Sequence, residues 1–413
     1  MDCESFLSSI GFMPTDRALA QGREAFRRAM ALGLAGQPGG LPMLPSYLPL
    51  NRRRPTGEAL VLDAGGTNLR TAHVRLTEDG MEILARKDRP MPGTKGRLSR
   101  EAFFRSLAED AAAMMASPLP IGFCFSFTAD ILPDGDARVL YLDKELQVDG
   151  LVGDTVATGL REALHALGAP APTRIRVMND APAALLGAVT QHPGTDGCIG
   201  MILGTGFNCC YGEENRRITK APALQAQEGR SIINIESGAF SLMTPSPADL
   251  LVRKGSIDPD QSVLEKMLSG AYQGSLLGAL LKLAAEQGML ANPEVLTHVH
   301  PTAIDVSKMV NGHSCLLEEA FPDARDKALL RELSMAIVRR AVLLVSMTLH
   351  GILDEIGVRE QPVLLAVEGS TYWKNPLLQQ LLAEAMADCP VKFVRTEEAN
   401  LLGAAAGVVG KTE

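Results

Sequence analysis

Two stretches of this 413-residue chain carry residue types suited to holding a polyphosphate. They are Ala59–Arg75, ALVLDAGGTNLRTAHVR, and Cys198–Glu214, CIGMILGTGFNCCYGEE. Each is an apolar run, then a Gly and Thr turn, then a second run. A Walker loop or a dinucleotide fingerprint leads from a strand into a helix, whose N-terminus takes the phosphate. Here the residues after the glycines alternate as a strand does, so each stretch reads as a hairpin. Glycine lets such a tip approach a ligand closely and present backbone N–H groups beside a Thr hydroxyl. The candidates are Gly65, Gly66, Thr67 and Asn68 on the first tip, and Gly204, Thr205 and Gly206 on the second. Asp63, ending the first strand, offers a hard oxygen ligand that would hold Mg2+ through water. Either hairpin alone reads equally well as a plain turn. Its recurrence 139 residues later (65 to 204) points to a duplicated domain, with one tip facing a cleft from each lobe.

Carboxylates supply the second kind of chemistry. Asn179-Asp180 ends the apolar run Ile175–Met178 and opens a helix. Asp180 there suits an N-cap, with Pro182 in the first turn. It equally suits a general base at the C-terminal edge of a strand, where α/β sites form. Glu236, in Asn234-Ile-Glu236, and Glu265 lie in segments otherwise rich in small and apolar residues.

The elements that must position these groups follow from length and pattern. A chain of 413 residues exceeds one ordinary core, so two domains are expected. Composition (46% hydrophobic, 4% aromatic) suits a helix-rich α/β protein. A net charge of −8 and no basic tract beyond Arg52–Arg54 argue against nucleic acid. No apolar run reads as long enough to span a bilayer, and two acids precede the first base, so a membrane is not expected. The seven cysteines lie mostly in apolar segments without CxxC spacing, which favours a reduced, cytoplasmic setting. His298 and His300 read as loop or edge strand rather than a chelate. Helical periodicity covers 4–34 up to a Gly-Gln-Pro-Gly-Gly breaker, then strands and helices alternate from Ala59. The region 240–360 reads as mostly helical, with long runs over 262–287 and 326–355.

Taken in order, the motifs resemble those of the hexokinase family of sugar kinases. LDAGGTNLR (62–70) is similar to LDLGGTNFR, and LGTGFNCCYGEE (203–214) to VGTGTNACYMEE. FSF (125–127) followed by Lys144, VMNDA (177–181) and NIESGAF (234–240) resemble the sugar segments. DQSVLEKMLSGAYQG (260–274) and VEGSTY (367–372) resemble the sugar helix and the adenosine motif. The resemblance covers roughly 58–410. It implies a two-lobed actin-like ATPase (ribonuclease H-like) fold, α/β, with a mixed sheet in each lobe and a central cleft. The implied division is an N-terminal helical segment, 1–54, on the large lobe; a small lobe, 55–180, with the C-terminal helix 399–413; and a large lobe, 181–398. The length matches a single-unit form of the family.

The implied reaction is transfer of the γ-phosphoryl group of ATP, with Mg2+, to the primary hydroxyl of a hexose, glucose first. Asp180 would be the base and Lys144 would steady sugar and phosphoryl group. Ser126, Asp143, Asn179, Asn208, Glu236 and Glu265 would ring the sugar, while Gly369 and Ser370 would meet the nucleoside. A hexose is the expected partner, with the chain a monomer or homodimer. Three departures stand out. Asp143 replaces a Thr, Ser237 replaces a Trp, and TEEANLLGAAAG (396–407) lacks two glycines, at Ala399 and Leu401. The competing reading is a sugar sensor of the same family whose turnover is impaired at Asp143.

Overall fold

The computed structural model describes residues 2–50, 54–142, 146–195, 197–357 and 361–409. Gly57–Ala64, Asn68–Leu76 and Met81–Pro90 are joined by short turns that contain glycine, and they pair as an antiparallel meander. The buried runs Ile121–Phe125 and Ile175–Met178 join in parallel beside the first of them. Parallel pairing requires crossover connections, which the helices Arg100–Ala112 and Val156–Ala166 provide. The second sheet repeats this plan. Cys198–Leu203, Phe207–Glu214 and Arg230–Asn234 form the meander, and Val363–Glu368 and Val391–Val394 add in parallel. The repeated hairpin of the sequence is thus the visible part of a five-strand unit built twice.

Several elements depart from the sequence reading. Leu44–Pro49, expected within a helical segment, is a sixth strand at the edge of the second sheet, antiparallel to Arg230–Asn234. Its prolines are tolerated because an edge strand leaves one row of N–H groups unused, and the register shifts between Pro45 and Pro49. The helical run over 262–287 is two helices, Val263–Leu268 and Gly270–Glu286, broken at Ser269. His298 and His300 lie in a loop after a 3-10 turn, as expected.

Three apolar cores result. One lies under the first sheet around Phe103, Phe104, Phe123 and Phe125. The largest lies under the second sheet, around the helix Ala324–Ile356. That helix is apolar enough by length and composition to cross a membrane, contrary to the sequence expectation of no such run, and 78% of the relevant window is buried. The N-terminal helix Asp16–Leu34 packs along it, fixed by Arg23 to Asp354 (2.7 and 2.5 Å) and Arg27 to Glu355 (3.2 Å). Cys209 and Cys210, adjacent on one strand, face the second and third cores respectively.

The third core lies between the sheets and contains two helices, Asp180–Gln191 and Ala399–Val409. They cross at glycines. A Cβ on Gly403 would fall onto the Ala183 carbonyl, and one on Gly187 onto the Ala399 carbonyl. The family glycines missing at Ala399 and Leu401 are therefore positions inside a packed helix, where both side chains are buried. Overpacking here has no flexible side chain to yield, so Gly403→Val should cost about 3 kcal/mol in a denaturant melt. Gly80→Ala, where a Cβ meets nothing within 4 Å, should leave the melt unchanged. Equal stability of the two variants would contradict the close crossing.

Candidate active site

Three neighbouring parallel strands end together in the first sheet. Met178 and Asp63 both pair with Cys124, so Asp180, Ser126 and Asp63 are carried at adjacent C-terminal strand ends. Such ends are where open α/β sheets place ligands. The Ser126 N–H donates to the Ala64 carbonyl (3.1 Å), which fixes the turn after its strand. Asn179, extended at φ −75° and ψ 162°, is the helix cap, and Asp180 is the first helical residue rather than the cap itself. Both side chains accept from the Ala181 N–H, at 3.3 and 2.8 Å. Asp63 is 2% exposed, pairs with Arg70 (2.9 Å) and lies 3.5 Å from the Asn400 amide.

The second sheet supplies a facing set of amides and carboxylates. Asn234 Nδ2 donates to Glu236 Oε1 (2.8 Å) and to Asn179 Oδ1 (3.4 Å), and its Oδ1 accepts from Asn208 Nδ2 (2.8 Å). Asn208 Oδ1 is fixed in turn by the N–H groups of Cys209 (2.7 Å) and Ser237 (3.2 Å). Glu265 Oε2 accepts from the Phe207 N–H at 2.8 Å. A Cβ on Gly206 would sit 2.8 Å from that same oxygen, so the tip glycine also makes room for Glu265. Glu236 holds a left-handed backbone, φ 57° and ψ 48°, which costs a non-glycine residue about 1 kcal/mol. That turn starts the 3-10 segment Ser237–Ala239.

Converging carboxylates repel one another and lose water. Burial, with the Asp63 charge adding and the Ala181 N–H opposing, pushes Asp180 up to about 6. Burial and then the Asp180 charge push Glu236 up to about 7, against the Asn234 amide. Burial also raises Asp63, with Arg70 opposing. A site of this kind favours a ligand rich in hydroxyl donors, because each O–H stabilises an ionised carboxylate without adding charge.

The second hairpin tip is locked to two other elements. The Gly204 carbonyl accepts from the Gly270 N–H (2.9 Å) and the Thr371 hydroxyl (2.7 Å), and the Thr205 carbonyl from the Ala271 N–H (3.0 Å). These carbonyls satisfy the N-terminal N–H groups of the helix Gly270–Glu286, which explains the break at Ser269. Gly369, at φ 115°, lies against Leu203 and Gly204, where a side chain would collide with backbone. A cavity of about 460 Å³ opens beside this junction, lined among others by Ser370, Thr371, Lys374, Ser307 and Lys308. The first tip, Gly65, Gly66, Thr67 and Asn68, is closed by the Gly65 N–H to the Asn68 carbonyl (3.0 Å), with Thr67 and Asn68 exposed.

The structure therefore links Asn179, Asn208 and Glu236 through Asn234, sets Ser126 on Asp180, and couples Asp180 by charge to Asp63 and Glu236, and Glu236 to Glu265; Gly204 lies against Gly369. Asp143 and Lys144 lie outside the described residues. Sequence reasoning missed Asn234 as the hub of the amide chain, though its i−2 spacing from Glu236 was a signal. It also missed the pairing of Arg70 and Asn400 with Asp63.

A carboxyl raised in the folded state gives its full stabilisation below its unfolded pKa and loses it as pH climbs through the folded value. Asp180→Asn should therefore match the parent near pH about 4. Above pH about 7 it should be more stable, on the order of 2 kcal/mol, in denaturant melts. Equal stability at every pH would remove the strain from Asp180.

The geometry has close relatives. Two hexokinase family models match consecutive parts of the chain, residues 8–189 and 198–409. Human Hexokinase-3 is 28% identical over 94% of this chain and 45% of its own length. Rat Hexokinase-2 is 28% identical over 95% of this chain and 46% of its own length. The chain thus spans about half the length of these curated relatives. Hexokinase-1 of Schizosaccharomyces pombe is 28% identical over 86% of this chain and 78% of that protein. Among solved structures, hexokinase from Schistosoma mansoni complexed with glucose superposes with a TM-score of 0.82, at 24% identity and 98% coverage of both chains. That likeness fixes the fold as the two-lobed α/β architecture with a mixed sheet in each lobe. On the family models spanning both halves, the chain belongs to the hexokinase family.

Proposed function

We propose that this chain phosphorylates the primary hydroxyl of a hexose, glucose first, with ATP and Mg2+ as co-substrate and cofactor. The observation that carries this is the network of Asp180, Glu236, Glu265, Asn179 and Asn208 at the strand ends. It is a polyol-binding arrangement with one carboxylate poised to accept a proton. Glu236 and Glu265 can each accept two hydroxyl hydrogen bonds, which orients the sugar. Ser126 would hold a further hydroxyl from the first sheet. The roles of Asp143 and Lys144 beside the sugar rest on the sequence.

The donor set also fits a magnesium polyphosphate. Asp63 offers a buried oxygen donor steadied by Arg70, and the exposed tips offer backbone N–H groups and the hydroxyls of Thr67 and Thr205. Ser370, with Lys308 and Lys374 lining the same cavity, suits the nucleoside end. Magnesium, when bound, neutralises charge on the polyphosphate. The protein's own work is alignment, exclusion of water and transfer of the hydroxyl proton to Asp180 Oδ. We assign the lobes as 55–180 with the C-terminal helix, and 181–398. Closure about the crossed helices would keep water from competing with the sugar. The sugar-sensor reading finds no support in the described residues.

A coupled ADP-release assay with MgATP, a panel of hexoses and a no-sugar blank tests the reading. Sugar-dependent release is expected, with kcat/KM rising through pH about 6 as Asp180 ionises and levelling above pH about 7. Asp180→Asn should lower kcat at least about 100-fold. Release without dependence on sugar, or near-parental turnover of that variant, would contradict the assignment.

A further inference from the structure

A cluster of metal-ligating side chains lies on the helix Ala324–Ile356 and the turn after Pro376–Ala385, among residues given no part in the reaction above. His350 Nδ1 is 2.7 Å from the Ser346 carbonyl oxygen. A carbonyl only accepts, so Nδ1 carries the proton and Nε2 presents a lone pair. That Nε2 is 3.9 Å from Asp388 Oδ1, and Cys389 Sγ is 3.7 Å from the same oxygen. All three donor atoms lie within 4.8 Å of one another. A tetrahedral zinc ion spaces its ligand atoms roughly 3.3 to 3.7 Å apart, so closing the set requires shifts of about 1 Å or less.

We propose that His350, Asp388 and Cys389 form a divalent-metal site of zinc class that clasps the turn after Pro376–Ala385 onto the long core helix. The donor set is borderline-soft, imidazole and thiolate with one carboxylate, which favours zinc over magnesium or calcium. The backbone carbonyl on Nδ1 is the outer partner that ligating histidines characteristically have. Cys389 is partly exposed, whereas the other six cysteines are buried, so among the described residues it is the thiol open to an ion. Asp388 is exposed, which leaves the outer side of the site open to water as a fourth ligand. The neighbouring cation, Arg23, is already neutralised by its two contacts with Asp354. Binding releases the thiol proton to solvent, giving a metal–thiolate bond with no redox change.

The test uses the full chain, reduced, stripped with chelator and free of magnesium, titrated with Zn2+ and separately with Co2+. One ion per chain is expected, with thiolate-to-cobalt charge-transfer absorption and a Tm that rises with zinc concentration. Cys389→Ser and His350→Ala should each weaken binding at least about 10-fold, and Cys389→Ser alone should abolish the charge-transfer band. Asp388→Asn, at an exposed position that does not threaten folding, should weaken binding without removing the band. A double His298→Ala and His300→Ala variant should bind as the parent does. Stoichiometric binding that survives in Cys389→Ser, binding lost with His298 and His300 instead, or no binding by the parent would each overturn the proposal.

Discussion

Loss of solvation by converging, largely enclosed carboxylates, with their mutual repulsion adding, is the constraint around which this site is arranged. Asp63, Asp180, Glu236 and Glu265 are brought together from separate elements, and burial leaves the Asp180 and Glu236 charges poorly solvated. An arrangement of this kind persists only when the surrounding structure over-determines it. The restraints are specific: Arg70 on Asp63, the Ala181 N–H on Asp180, Asn234 on Glu236 and the Phe207 N–H on Glu265. The instability held there is a reservoir that a hydroxyl-rich ligand can relieve. Stability and activity are therefore opposed at Asp180, as is common for catalytic groups.

The two sheets explain how such groups can meet. Each unit contributes a hairpin tip and strand ends, and the final helix of each unit packs against that of the other. Gly187 and Gly403 allow backbone-to-backbone approach of the two helices at that crossing, inside the core that the sheets share. The second tip is anchored through the Gly204 and Thr205 carbonyls to the helix beginning at Gly270, whereas the first is held by its own turn and by the Met91 N–H on the Thr67 carbonyl (2.9 Å). The two tips are thus supported differently although their sequences are alike.

Much of the site was legible because its chemistry is encoded locally. Gly-Thr turns between alternating runs specify hairpins, and Asn-Asp after an apolar run specifies a strand end that becomes a helix. Asp180 and Asp63 could be found that way. Asn234 was signalled only by its spacing from Glu236, because its place as the hub depends on pairing between Phe207–Glu214 and Arg230–Asn234, a long-range register. The break at Ser269 was hidden for the same reason: the apolar period runs on, and the break comes from the distant Gly204 and Thr205 carbonyls. Leu44–Pro49 was obscured by its two prolines, Pro45 and Pro49, which argue against a strand unless its edge position is known. The contact of Asn400 with Asp63 emerges only when the last helix returns to the first sheet.

The most direct test of this account is calorimetry of glucose binding near pH 6.5, in buffers of different ionisation enthalpy, to count the protons exchanged. If hydroxyl donors stabilise the ionised forms of Asp180 and Glu236, binding releases protons, and the release shrinks in Asp180→Asn. Proton uptake on binding, or no exchange at this pH, would contradict the claim that ligand hydroxyls relieve the carboxylate strain.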